Sequence, residues 1–466
     1  MTERTRGWVC FLAAAVVLGW SVFALGTAVF WQRAVAGVLT AAGGLLGVAL
    51  LPGSGRLPPI PRLLAGASLL LFGYGWFMAV NAVAEHSLAG FEFTMIENRP
   101  FEEAPGSVAR SASIRAMLEF TAVLLGMLGV LRAAESSAWK RLAELLAVLA
   151  VVVALVGMFH KVLGVESIYG FDARHPSTFF APYVYNANAG AFMNLCLPLA
   201  FGLALARVGD ERARAAGGFW ALVTVVIASG VVVTASKGAA IILLLSLLWL
   251  VAWNRRRLGV LIASFASQRG RRLERVLQVG VLSFLALAFL AIGISFFIWR
   301  WEEFFGRFDD PERLVTGREG VIRVMLGMTS PAEGSWHGFG PGTIRHLIPY
   351  FAWGETGADL QPGVWTHGHC DPLQTMIEWG WIGALLWLVI GGGGVVCALL
   401  LVWKRRLRTE EAPLLRGMVV ALTLVGLHSC MDFPLSIYSI HLTAMLLCGV
   451  CWGLAARRLR GKGREW

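Results

Sequence analysis

Charge is what this chain has least of. Only 15% of its 466 residues are Asp, Glu, Lys or Arg, against about 25% in an ordinary soluble domain. A water-soluble globular protein of this length is thereby excluded. The seven cysteines form no disulfide framework, and the one CxxC spacing, Cys448 to Cys451, falls inside an apolar segment. Six of them (Cys10, Cys196, Cys397, Cys430, Cys448, Cys451) fall in or at the ends of apolar segments, where cysteine behaves as a small hydrophobe, and only Cys370 sits in a long polar loop. The sequence has no internal repeat of 20–50 residues and no low-complexity tract, so a solenoid or a disordered tail is not expected.

What is present is hydrophobicity: 57% of the residues are apolar and the mean hydropathy is +0.67. Runs of about 20 apolar residues recur, the length that crosses a bilayer as a helix. The expected fold class is therefore an all-α polytopic membrane protein. Twelve spans are predicted, at 8–30, 34–51, 63–84, 114–131, 142–163, 187–206, 218–235, 238–253, 276–299, 376–402, 414–430 and 435–455. The first follows MTERTRG; it is too long for a signal h-region and is read as a retained helix. The organisation is a bundle over 1–299, a loop with helices of its own over 300–375, and three spans with a basic tail over 376–466.

The net charge of +11 is placed by topology. With the N-terminus cytoplasmic, 27 of the 40 lysines and arginines fall on the cytoplasmic side, as the positive-inside rule requires. Both termini are then cytoplasmic, and the basic excess is a topology signal that can also contact anionic lipid, not a nucleic-acid surface. Two sizeable segments are left on the opposite side, 85–113 and 300–375. In the second, REGVIRVMLGM predicts an amphipathic helix with Val321, Val324, Met325 and Met328 on one face, followed by the Gly/Pro break of SWHGFGPGTI. The GGGG at 391–394 lies within a span, where it suits close helix packing.

The candidate site residues gather on that side. In THGHCDPLQTMIEWGWIG, Asp371 fits an N-cap with Pro372 in the first helical turn. His369 lies just outside, where an imidazole can take a proton from a hydroxyl. His367, His369 and Asp371 together are a weak metal motif, and no metal is expected. In TASKGA, Lys237 either snorkels to the headgroups or, with Gly238 opening a helix, holds an anion. Arg307, Arg313, Arg318 and Arg323 punctuate the long loop. They are either a solvated face paired with Asp309, Asp310, Glu312 and Glu319, or guanidinium forks for a pyrophosphate. In LHSCMDFPLSIY, Asp432 can cap the last helix and His428 can bond to it four residues away.

Taken in order, these stretches resemble the O-antigen ligase and polymerase-like superfamily. HGHCDPLQTMIEWGWIG resembles its His-x-His loop, and LHSCMDFPLSIYSIH its closing His…Asp-Phe-Pro-Leu span. TASKGA resembles its Ser-Arg-Gly turn, and HPSTFFAPYVYNANAGAF its Asn-x-Asn element, which contains Asn188. The resemblance covers about 175–450. It implies a bacterial inner-membrane glycosyltransferase of the GT-C type that needs no cofactor. The donor would be an undecaprenyl-pyrophosphate-linked glycan and the acceptor a hydroxyl of lipid A-core, of a growing polysaccharide or of a protein, used at the periplasmic face. Carried over, His369 is the general base, while Lys237, Arg318 and Arg307 hold the pyrophosphate. His367, Asp371, Asn188, His428 and Asp432 support them. Lys237 stands where the family has arginine and Cys370 where it often has asparagine.

A secondary transporter or flippase is the competing class. It would need internal symmetry, a matched pair of broken helices and a charge at the midplane, and the sequence offers none of these. A structural protein of a cell-envelope complex is the third reading.

Overall fold

The computed structural model describes residues 3–50, 59–87, 92–133, 138–172, 179–207, 214–266, 320–329, 336–355, 366–404 and 407–460. Eight helices lead the chain: α1 (Glu3–Phe23), α2 (Phe30–Leu50), α3 (Pro59–Val80), α4 (Arg110–Ala133), α5 (Ala138–Val162), α6 (Asn186–Ala206), α7 (Arg214–Val233) and α8 (Lys237–Ala266). Two short helices follow, α9 (Gly320–Met328) and α10 (Ile344–Glu355), and then α11 (Asp371–Trp403), α12 (Ala412–Ser429) and α13 (Tyr438–Arg460).

Ten of these helices, α2–α8 and α11–α13, are long and apolar enough to cross a membrane, which is the architecture of a multi-pass membrane protein. The apolar part of α1, Trp8–Phe23, is shorter than the others. The expected ninth span, 276–299, lies outside the described residues. The eighth segment runs past its expected end at 253: α8 continues through Asn254 to Ala266, giving 30 residues.

Burial separates the centre of the bundle from its rim. In α13 94% and in α6 83% of the apolar window is covered by protein, against 22% in α2 and 28% in α11. A helix apolar on every side and buried on every side is central, whereas one with exposed leucines faces lipid. With lipid as solvent there is little hydrophobic drive between helices, so close approach by small residues does the work. The α2–α4 contact shows this: a Cβ on Gly47 would lie 2.9 Å from the Gly129 Cα. In the GGGG run, only Gly393 and Gly394 are needed in this way, against Trp452 and Cys448 of α13.

Polar pairing collects at the two ends of the bundle. At one end Glu411 takes Arg458 (2.6 Å) and Lys140 (3.9 Å), while Arg207 pairs with Glu144 at 3.3 Å. These are residues the topology assigns to the basic side. The segments assigned to the other side meet at the other end. There the 85–113 segment forms a hairpin, β1 (Ala84–Ser87) antiparallel to β2 (Glu92–Met95). A small hairpin of β3 (Ser167–Ile168) and β4 (Phe171–Asp172) precedes α6.

One kink organises this end. α11 is broken at Gly380 (φ 65°, ψ 179°), a conformation that only glycine adopts readily. The break releases the Ile377 and Glu378 carbonyls from the helical ladder. Both are taken up by the Gly-rich turn, from the N–H groups of Phe339 and Gly340, each at 2.9 Å. That turn carries positive φ at Gly338, Gly340 and Gly342. Its far side is held by Val108 N–H to the Phe339 carbonyl (3.0 Å), by Ser113 Oγ to the Pro341 carbonyl (2.8 Å), and by the Tyr74 hydroxyl to the His337 carbonyl. The Glu378 carboxylate accepts the Ile344 N–H at 3.2 Å and so caps α10. The predicted face of α9 is buried, with Val321, Val324, Met325 and Met328 packed on Leu347 and Ile348 of α10 and on Leu373 and Ile377 of α11. The described parts of this segment, α9 and residues 336–355, are thus tied into the bundle through the first turns of α11.

Candidate functional site

The site is built by three chain segments, 366–371, 428–438 and 234–239. His369 is in the left-handed region (φ 53°), which is strained for a residue with a Cβ. The residue before it, Gly368, is pressed against the Met325 side chain, where a Cβ would collide. This turn brings the His369 ring to Asp432, with Nδ1 3.0 Å from Oδ1. Asp432 is 5% exposed, and its Oδ1 also accepts the Phe433 N–H at 3.1 Å. A carboxylate has no proton to give, so the geometry assigns Nδ1–H to His369 as donor and leaves the ring lone pair on Nε2.

Asp371 does not cap α11. The N-cap position is Cys370, which makes no side-chain cap bond, and Asp371 opens the helix itself. Its carboxylate turns outward from the helix to a second segment, accepting the Leu435 N–H at 2.7 Å and the Ser436 hydroxyl at 2.6 Å. Phe433–Ser436 lead into a short 3-10 turn (Pro434–Ser436), so Asp371 and His369 clamp both ends of the Asp432–Ser436 stretch. Asp432, likewise, does not cap α13: its carboxylate is directed to His369 and to its own neighbour. The His428 contact within the helix end is through backbone, Asp432 N–H to the His428 carbonyl at 3.1 Å. The His428 side chain faces α8 instead; its Nε2 lies 3.2 Å from where a Cβ on Gly238 would stand.

Lys237 rather than Gly238 opens α8. Its Nζ is enclosed by protein and does not snorkel outward. The turn that carries it is fixed by two asparagines of α6. Asn186 Nδ2 donates to the Thr234 carbonyl at 2.7 Å and Asn194 Nδ2 to the Ala239 carbonyl at 2.8 Å. Asn188 is buried in the first turn of α6, its N–H on the Tyr185 carbonyl at 3.1 Å. An Asn-x-Asn pair on a membrane helix signals a polar tie to a neighbour, and Asn186 is the member that makes it.

An aromatic column runs beside the dyad. Tyr185 stacks on Phe433 (5.8 Å, 7°), Phe433 stacks on the His367 ring (4.5 Å, 16°), and His369 meets Phe433 edge-on at 4.8 Å. Burial first, then the Arg33 charge and the neighbouring His369 ring, push the His367 imidazole down to about 3. It is therefore neutral at physiological pH. The HxHxD triplet does not converge: His369 points to Asp432, His367 stacks on Phe433, and Asp371 reaches Leu435 and Ser436. Among the described residues no three His, Cys, Asp or Glu side chains are grouped to hold a metal ion.

Sequence reasoning missed Glu378, Phe433 and Ser436. The signal for Glu378 was present, an acid eight residues into an apolar helix, because burying a carboxylate requires donors. It also missed the buried pair His86–His346, whose Nδ1 atoms lie 2.7 Å apart and join the β1–β2 hairpin to α10. Arg307 and Arg318 lie outside the described residues.

His369, Asp432, His428, Gly238 and Lys237 thus form one contiguous path at one end of the bundle. A histidine held by a buried carboxylate, with an inward lysine on the neighbouring helix turn, can accept a proton beside a bound anion. No family model matches the chain, and no curated protein matches it.

Proposed function

We propose that the chain is a lipid-linked glycan transferase of the O-antigen ligase-like kind. It would move a glycan from undecaprenyl pyrophosphate to a hydroxyl acceptor at the periplasmic face of a bacterial inner membrane, with inversion and without a metal. The observation that carries this reading is the His369–Asp432 pair at 3.0 Å. A carboxylate on Nδ1 fixes the tautomer and orientation of the ring and stabilises the imidazolium once Nε2 has taken a proton.

In the proposed step the acceptor oxygen attacks the anomeric carbon and its proton passes to His369 Nε2. The bond from that carbon to the diphosphate oxygen breaks, and the electron pair leaves with undecaprenyl pyrophosphate. The leaving group gains negative charge, which Lys237, Arg318 and Arg307 would offset. A single displacement needs one base and no second catalytic carboxylate, unlike a retaining hydrolase.

The test is transfer by purified protein supplied with an undecaprenyl-pyrophosphate oligosaccharide and candidate acceptors, with chelator present. Wild type should transfer and His369→Ala should not. Asp432→Asn should fall by about 10²–10⁴-fold, because the amide no longer selects the tautomer. Equal transfer by His369→Ala would end the base assignment. The acceptor consumed distinguishes a ligase, which uses lipid A-core, from a polymerase, which uses the growing chain.

A further inference from the structure

We propose that Arg257 of α8 and Arg416 of α12, at the basic end of the bundle, form a binding site for the phosphate of an anionic phospholipid. The site lies at the opposite end from the His369–Asp432 pair and does not depend on the transferase reading.

Direct contacts bring the two arginines together. Arg416 lies in the second turn of α12. Its Nη1 donates to the Trp253 carbonyl at 3.2 Å and to Asn254 Oδ1 at 3.1 Å, and its Cζ stands 5.7 Å from the centre of the Trp253 ring. Asn254 is buried, and its Nδ2 donates to the Leu250 carbonyl at 2.9 Å, which leaves Oδ1 for Arg416. Because α8 is helical through this stretch, the carbonyl that Arg416 reaches is also the one that accepts the Arg257 N–H, four residues on. Arg416 therefore sits against the turn that carries Arg257. The Arg257 guanidinium reaches across to the end of α6 and to the segment before α12. It donates from Nη1 to the Leu205 carbonyl at 3.0 Å and from Nη2 to the Thr409 carbonyl. All four acceptors are neutral.

The other inward basic groups at this end are balanced. Arg207 has Glu144, Lys140 has Glu410, and Arg458 has Glu411. Those three acids are taken, and among the described residues neither Arg257 nor Arg416 forms an ion pair. Arg416 Nε is also buried without a hydrogen-bond partner. A charge held in a bilayer is costly and is met by a partner. Two guanidiniums, fixed by carbonyls but not neutralised, suit a phosphate, whose oxygens match their fork.

Depth selects a lipid-borne phosphate. The apolar span of α8 ends at Gly259 and that of α12 begins at Ala412. By helical rise Arg257 and Arg416 lie about 3 and 6 Å inside those ends, at headgroup depth. Trp253 and Trp249, one and two turns further along α8, stack on each other (6.0 Å, 18°), as tryptophans do below a headgroup layer. Leu248 and Val251 on the same turns are exposed, which gives an acyl chain a surface to follow. Arg255 and Arg256 are exposed beside Arg257 and add attraction for an anionic headgroup.

The experiment is native mass spectrometry of the full chain, released from micelles with equal amounts of phosphatidylglycerol and phosphatidylcholine. It counts the lipids retained as their concentration is raised. Wild type should retain phosphatidylglycerol in preference to phosphatidylcholine. Arg257→Gln and Arg416→Gln should each weaken that retention about 10-fold, the value of one charge-assisted contact. Arg457→Gln removes an exposed arginine at the same end and should leave it unchanged. Equal loss in Arg457→Gln would mean that basic surface in general attracts the lipid, and that result, or wild-type retention in both site variants, overturns the proposal. So does equal retention of the two lipids by wild type, a result that stands even where Arg416→Gln disturbs the α8–α12 contact. Excess inorganic phosphate should not displace the lipid; displacement would make free phosphate the ligand and end the lipid assignment. Because retention is read without turnover, a failed transfer assay does not bear on the result.

Discussion

Removing the Asp371 carboxylate should loosen the turn that carries Asp432, and the structure sets the size of the effect. Asp371 accepts one hydrogen bond on each oxygen, the Leu435 N–H at 2.7 Å and the Ser436 hydroxyl at 2.6 Å. In Asp371→Asn the amide oxygen can keep the Leu435 N–H, and the Ser436 hydroxyl can rotate to accept from the amide nitrogen. Only charge assistance is lost, about 1 kcal/mol. In Asp371→Ala the Leu435 N–H is left unpaired in a partly buried site, at about 1–3 kcal/mol, and the Ser436 bond disappears at about 1 kcal/mol more. The expected loss is therefore about 2–4 kcal/mol. Ser436→Ala alone should cost about 1 kcal/mol, and the double variant should show a coupling of 0.5–3 kcal/mol, as groups in one network do. The assay is reversible denaturation of the purified protein in mixed micelles, with wild type and the four variants in parallel. If Asp371→Ala is no less stable than Asp371→Asn, or the coupling is zero, Asp371 does not hold the turn and its role as a positioning residue falls.

Gly380→Ala should be more damaging than an ordinary substitution within a span. The side chain meets the Trp336 carbonyl in a backbone conformation that costs about 1–3 kcal/mol for any other residue. Limited proteolysis should then cut the 336–342 turn faster, and unchanged protection would count against the kink as its anchor. The His86–His346 pair should make the hairpin acid-sensitive. Burial and the charges of His86, Arg345 and Arg115 lower His346 to about 4, Glu85 opposing; burial likewise lowers His86. An unfolded histidine titrates near 6.5, so between about 6.5 and 4 the unfolded chain binds more protons. Stability contributed by the pair is complete above about 6.5 and is lost as the pH falls toward 4. Amide exchange in residues 84–95 should rise over that window in wild type and be flat in His346→Gln. An exchange rate independent of pH-specific opening in wild type would remove the pair as the cause.

The membrane class, the ten long apolar helices among the described residues and the buried face of α9 were readable because they depend on local composition and period. An apolar run of about 20 residues must become a helix in lipid, since its backbone polar groups have no other partner there. The meeting of the 85–113 segment with the described parts of 300–375 at one end of the bundle was also legible, because the charge pattern had put both on one side. What each site residue does was decided by tertiary structure. Asp371 carries every local feature of a helix cap, Pro372 included, yet its oxygens go to Leu435 and Ser436, 64 and 65 residues away. His369 and Asp432, 63 residues apart, become a dyad because Gly368 lets the chain turn against Met325 and the Asp432–Ser436 stretch is clamped at both ends. The break at Gly380 was hidden inside a stretch that reads as one uninterrupted helix. It exists because the released carbonyls of Ile377 and Glu378 find donors in a Gly-rich turn about forty residues earlier. Local sequence states which groups need partners; only the folded chain determines which partners they receive.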